Sequence, residues 1–183
     1  VYLGKLAQDK GLEPLLLSWQ RVRRAFPQAY LWLVGAGRWQ ARLHARARQL
    51  GLADRVAILG PFDEVDEVLQ AANLLVLPGT SKAGGSLALV EAMGMGLPAL
   101  AVDTPAHRER VAHREQAWLV PSESPDDLAS GLLRLLDEPA LAAELGESAR
   151  YRAGQEFALD SHVQAYQNLL GQFIGTQSGS PQP

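Results

Sequence analysis

The sequence predicts an α/β domain built on a doubly wound parallel sheet of about six strands, Rossmann-like in plan. Three observations carry this. Short apolar runs alternate along the chain with longer runs whose apolar residues recur at helical spacing. The short runs (YLWLVG, LLVL, PALAV) are apolar on both faces, as strands covered on two sides must be. Several of them close on Gly or Pro and pass into a helical run, the pattern of βα units joined by right-handed crossovers.

The elements follow in order. Val1 to Gly4 reads as a first strand, and Leu12 to Phe26 as a helix with Leu15, Leu16, Trp19 and Val22 on one face. Tyr30 to Gly35 is a second strand, followed by a basic amphipathic helix over Arg38 to Leu50. Arg55 to Leu59 is a third strand, Glu64 to Ala72 a short helix, and Leu74 to Leu77 a fourth strand stopped by Pro78-Gly79. Ser86 to Met95 is helical, Pro98 to Val102 a fifth strand, Ala106 to Val111 a short helix, and Ala117 to Val120 a sixth strand ending at Pro121. Three helices close the pattern: Pro125 to Leu136, Pro139 to Arg152 and Ser161 to Phe173. Residues 1–174 form one domain in this reading. Residues 175–183 (GTQSGSPQP) form a polar, disordered tail.

At 183 residues, 47% hydrophobic and 20% charged, the composition is that of an ordinary globular domain with a sizeable core. The opening strand reads as already under way, so the chain is taken as part of a longer protein. The net charge of −3 argues against a nucleic-acid or anionic-membrane surface while leaving room for local basic clusters. With no cysteine, disulfides, thiolate catalysis and Cys-based zinc sites are excluded. No apolar run approaches the roughly 20 residues of a membrane span, and a cytoplasmic location is expected. The four histidines show no metal-ligand spacing with acidic residues and read as surface or loop residues.

In open α/β sheets, ligands bind beyond the carboxyl ends of the strands. Gly35-Ala36-Gly37 follows the second strand, but Gln40 stands where a dinucleotide fingerprint needs its third glycine. A tight turn competes with nucleotide binding there. Gly84-Gly85-Ser86 opens a helix, where backbone N–H groups attract an anion and glycines permit close approach; a helix simply capped by Ser86 is the alternative. Lys5 and Lys10 flank the turn after the first strand. They are either solvated surface or a pair converging on one anion. Glu91 lies among Leu87, Leu89, Val90, Ala92 and Met93. A carboxylate there is costly if buried, unless it accepts from a polar partner such as the vicinal hydroxyls of a ribose.

Five blocks in this order resemble the C-terminal, donor-binding domain of retaining GT-B glycosyltransferases. These belong to the glycosyl transferases group 1 family, which also contains sucrose and glycosyl-lipid synthases. The blocks are LGKLAQDKGLEPLLLSW, AYLWLVGAG, LGLADRVAILGPF, AANLLVLPGTSKAGGSLALVEAMGMGLPALAVDTPAHRERV and LVPSESPDDLASGLLRLLDEPALAAELGESAR. The resemblance spans Tyr2 to about Leu170. It implies that Lys5 and Lys10 act on the donor diphosphate, in the catalytic role of stabilising the leaving group. It implies that Gly84 and Gly85 approach the donor phosphates and sugar, and that Glu91, the second glutamate of a two-glutamate motif, holds the ribose. Gly37, Ser86 and Glu109 complete the implied donor-binding set. The partner is a nucleotide sugar, with no metal and no cofactor. The acceptor, and any peripheral membrane contact, belong to a preceding domain. Three departures stand out: Ala83 replaces the first motif glutamate, Pro105-Ala106 replaces a glycine pair, and Ala117 replaces a further glycine. The alternative is a non-catalytic pseudo-glycosyltransferase that only binds.

Overall fold

The computed structural model describes residues 1–62, 64–80, 87–157, 163 and 166–171. Among them lie six strands: β1 (Tyr2–Leu3), β2 (Leu31–Val34), β3 (Val56–Leu59), β4 (Leu75–Leu77), β5 (Ala99–Val102) and β6 (Trp118–Val120). The helices are α1 (Leu12–Ala25), α2 (Gln40–Gln49), α3 (Val65–Gln70), α4 (Leu87–Met95), α5 (Pro105–Arg108), α6 (Pro125–Asp137) and α7 (Pro139–Glu156). Helical backbone recurs at Val163 and over 166–171.

All the pairings are parallel. They give two three-stranded sheets, β1-β2-β3 and β4-β5-β6. Val1 joins them: its nitrogen donates to the Leu74 carbonyl at 2.6 Å, and its carbonyl accepts from the Val76 amide at 2.8 Å. These two bonds bracket Leu75 as a parallel ladder does. The strands therefore run in the order β3-β2-β1-β4-β5-β6, with the chain reversing direction across the sheet between β1 and β4.

Alternation along the strands divides the core in two. Val76, Leu100, Val102 and Val120 pack with α1, α2 and α6 through Leu15, Trp19, Leu43 and Leu132. Their neighbours Leu75, Leu77, Ala99, Ala101 and Leu119 pack with α4 and α7 through Leu89, Met93, Ala149 and Ala153. On α1, Leu12, Leu15, Leu16, Trp19 and Val22 are all buried at helical spacing, and each large side chain so covered contributes roughly 1.5–3 kcal/mol. The helices α4 and α7 meet through glycine. A Cβ on Gly146 would fall 2.1 Å from the Gly96 carbonyl oxygen.

The departures from expectation are local. A 3₁₀ turn, Gln8–Lys10, precedes α1. Helix α5 begins at Pro105 and ends at Arg108, because the Thr104 hydroxyl caps it by accepting from the His107 amide at 3.2 Å and Pro105 fits the first turn. Thus the proline that replaces a glycine starts a helix. The replaced glycine at Ala117 is fully buried in the second core. His107 is not a surface histidine: it is buried, with Nδ1 2.6 Å from the Val102 carbonyl oxygen. The expected helix start at Ser86 and the tail from residue 175 lie outside the described residues.

Candidate functional site at the sheet reversal

A crevice opens beyond the carboxyl ends of a parallel sheet where neighbouring strands send their connections to opposite faces. Here that point lies between β1 and β4. Two glycines bring the loops after these strands into backbone contact. Gly11 has φ +66°, and a Cβ there would fall 2.2 Å from the Pro78 carbonyl oxygen. A Cβ on Gly79 would fall 2.8 Å from the Lys10 carbonyl carbon. The turn carrying Lys10 is thereby pressed against the loop that leads toward 81–86 and α4.

Tyr2 shapes the same turn from below. Its buried side chain donates a hydrogen bond to the Lys5 carbonyl at 2.9 Å. Burial raises the pKa of this phenol, and the charge of Asp9 raises it further, so it stays a donor. Lys5 is exposed and makes no ion pair among the described residues. Lys10 is three-quarters covered and pairs with Asp9 at 3.7 Å.

Gly37 sits beside them for a packing reason. A Cβ there would fall 2.0 Å from the Leu6 carbonyl oxygen, which also accepts from the Trp39 amide at 3.1 Å, while the Leu6 amide donates to the Ala36 carbonyl at 2.9 Å. The loops after β1 and β2 are thus sewn together, and the tight-turn reading of Gly35-Ala36-Gly37 accounts for this glycine.

Glu91 occupies the second turn of α4 and is half-buried, with no hydrogen-bond partner among the described residues. Loss of water raises its pKa, and the neighbouring Asp66 raises it further. A partly desolvated carboxylate without a donor is poised to accept hydroxyls. Glu109 is placed otherwise. It follows α5, its carboxylate lies 3.6 Å from Arg110, and its carbonyl accepts from Arg152 at 3.5 Å. Lys5, Lys10 and Gly37 therefore gather at one edge, whereas Glu109 is tied toward α7. Gly84, Gly85, Ser86 and Ala83 lie outside the described residues.

Sequence reasoning missed Gly11 and Gly79, although each stands at a strand or turn end where glycine signals close approach. It also missed two polar pairs on the same edge. Thr80 donates to Glu123 at 3.5 Å, linking the loops after β4 and β6. Arg108 grips both oxygens of Asp103 at 2.5 and 2.6 Å, which holds the Asp103 pKa below the usual carboxylate range. Two cavities lie elsewhere, toward the amino ends of the strands. One of about 260 Å³ is lined by Trp19, Tyr30, Trp32 and Asn73, and another of about 610 Å³ by Leu69, Met95 and Pro139. Neither touches the lysines or Glu91.

Comparison with known proteins identifies the family. Residues 1–152 match the family model described as Glycosyl transferases group 1. The chain is 30% identical over 171 residues to an exopolysaccharide phosphotransferase of Streptomyces coelicolor, covering 93% of this chain and 18% of that protein. Among solved structures it resembles Anabaena HepE in complex with UDP, with TM-score 0.86 and 23% identity over 93% of this chain and 48% of that one. It also resembles sucrose-phosphate synthase of Thermosynechococcus elongatus, with TM-score 0.85 and 28% identity over 96% of this chain and 45% of that one. The chain spans about half the length, or less, of the curated relatives it matches. With the family model covering most of its length and the doubly wound fold shared with these enzymes, the chain belongs to the glycosyl transferases group 1 family.

Proposed function

We propose that this chain is the nucleotide-sugar-binding half of a retaining glycosyltransferase, which moves a sugar from a nucleoside diphosphate to an acceptor. The observation that carries the reading is the backbone contact of Gly11 and Gly79, which sets a lysine-bearing turn against the loop after β4 at the sheet reversal. HepE, solved with UDP and with UDP-glucose, supports the ligand class.

In the reaction, the bond between the anomeric carbon and the diphosphate oxygen breaks, and its electron pair stays on the diphosphate. The acceptor hydroxyl forms the new bond and gives up its proton. Negative charge therefore grows on the diphosphate as the sugar becomes oxocarbenium-like. Lys5 and Lys10 are the catalytic residues, stabilising that charge. Gly84, Gly85 and Ser86 supply backbone donors, Gly37 shapes the neighbouring wall, and Glu91 accepts the ribose hydroxyls. The resemblance also assigns Glu109 to the donor, although here it follows α5 with its carboxylate 3.6 Å from Arg110. Fixed cations take the place of a metal here, and no cofactor takes part. The acceptor site, and with it turnover, requires a preceding domain, and the reaction is placed in the cytoplasm.

Calorimetric titration of the 183-residue chain with a nucleoside diphosphate and with the matching nucleotide sugar, in EDTA, tests the reading. Saturable binding of both is expected, with similar affinity, because Ala83 lacks the carboxylate that would hold the sugar. Binding that requires a divalent cation, or no binding with any base, would overturn it.

A further inference from the structure

The whole-chain charge of −3 hides a strong segregation. Residues 1–60 carry ten Lys and Arg against three Asp and Glu, a net +7, so the remainder carries −10. Lys5, Lys10 and Arg38 belong to the carboxyl edge of the sheet. The other seven cations are arginines on α1, on α2 and beside β3.

These arginines form one flank, because α1 and α2 share a core side and their polar residues interlock. Glu13 of α1 receives both Arg42, at 3.2 Å, and Arg46, at 3.5 Å, from α2. Asp54 receives both Arg23, at 2.9 Å, and Arg55, at 3.6 Å. Each carboxylate is thus shared by two guanidinium groups. Arg46 and Arg55 each keep a buried Nε without a hydrogen bond. Arg21 reaches across to Asp126 of α6 at 2.7 Å. Arg24 and Arg48 are exposed and make no ion pair among the described residues. Aromatic rings lie among them: Arg55 stacks on Tyr30 at 4.8 Å, and Arg42 on Trp39 at 4.6 Å. Tyr30 is 58% exposed.

We infer that this α1–α2 flank is a docking surface for an anionic phospholipid bilayer. Each basic side chain near such a surface gains from its negative potential, and exposed amphipathic aromatics suit the headgroup layer. Geometry favours a planar partner. The rest of the chain is acidic, and its repulsion is screened beyond a Debye length of about 8 Å at physiological salt. Of that acidic part, Asp126 of α6 reaches the flank, where it is paired with Arg21 at 2.7 Å. Domains that bind nucleic acid are usually basic as a whole, which this one is not. The inference moves membrane contact, expected from the sequence only in a preceding domain, onto this chain. It stands apart from the donor-site reading, since its residues are not those of the crevice.

The test is co-sedimentation of the 183-residue chain with vesicles of phosphatidylcholine alone and of an equimolar phosphatidylcholine–phosphatidylglycerol mixture. The anionic vesicles should bind the chain and the neutral ones should not. Binding should weaken steeply between low salt and about 0.15 M salt. The double variant Arg24→Glu/Arg48→Glu breaks no ion pair described here and should lose at least tenfold in affinity. Circular dichroism should show that it remains folded. The control Arg114→Glu/Arg150→Glu, in the acidic part, should bind as the unaltered chain does. Equal binding to both vesicle types, or no effect of the double reversal, would overturn the inference. So would duplex RNA that competes vesicles off the flank and binds more tightly than they do, which would assign the flank to nucleic acid.

Discussion

Replacing Glu91 by glutamine has two opposite consequences, and the structure supplies the reason for both. The carboxylate is half-buried, lacks a donor among the described residues and faces the charge of Asp66. Its pKa is raised, so the folded chain holds this proton to higher pH than the unfolded chain does. Stability therefore falls as pH rises from the ordinary glutamate value through the raised one, and the penalty persists at neutral pH. Glutamine removes that penalty and should stabilise the empty domain slightly, by up to about 0.5 kcal/mol. The bound state behaves in reverse. If two ribose hydroxyls donate to the carboxylate, glutamine keeps only one acceptor oxygen and no charge. The loss is about 1–3 kcal/mol, or about fivefold to 150-fold in Kd. Binding should also strengthen as pH rises through the Glu91 window, because only the ionised form accepts both hydroxyls. Thermal unfolding without ligand, and calorimetry with a nucleoside diphosphate across that window, measure the two effects. A Glu91→Gln variant that is less stable when empty and binds as well as the unaltered chain would refute the argument.

Three further outcomes follow from named contacts. Lys10→Ala should weaken nucleoside diphosphate binding about tenfold or more in calorimetry, since a charge-assisted contact contributes roughly 1.5–3 kcal/mol; unchanged affinity would remove Lys10 from the site. Gly11→Ala places a methyl on the Pro78 carbonyl at a left-handed φ, so chemical denaturation should show a loss of about 1–3 kcal/mol together with weaker nucleotide binding. Asp103→Asn should cost less than about 1 kcal/mol at neutral pH. Because the Asp103 pKa is depressed, its contribution is present above the unfolded value and vanishes as pH falls through the folded one, so the melting curves of variant and parent should converge in acid.

How much of this was legible in the sequence depends on what each residue type reports. The six strands and most helix bounds follow from apolar periodicity, because a sheet covered on both faces leaves no room for polar residues in β4 or β5. Lys5, Lys10 and Glu91 stood out as candidates because a cation at a strand end and a carboxylate in an apolar helix are chemically conspicuous. The contact of Gly11 with Pro78 was not legible, since it joins residues far apart in the chain and no local pattern encodes the pairing. Arg108 and His107 were hidden for a related reason. Their roles depend on Thr104 and Pro105 starting a helix that ends at Arg108, where the sequence pattern placed it over Ala106 to Val111. The basic flank was masked by the sum, because total charge does not reveal that opposite charges occupy different elements.

The central claim is that a nucleoside diphosphate binds at the sheet reversal between the loops after β1 and β4. Amide chemical-shift mapping of the chain during titration with a nucleoside diphosphate tests it most directly. The account predicts saturable shifts at Lys5 to Gly11, at Ala36 to Arg38, at Gly79 and Thr80, and in the first two turns of α4. Shifts confined to Trp19, Tyr30, Trp32 and Asn73 around the cavity at the amino ends of the strands would contradict it.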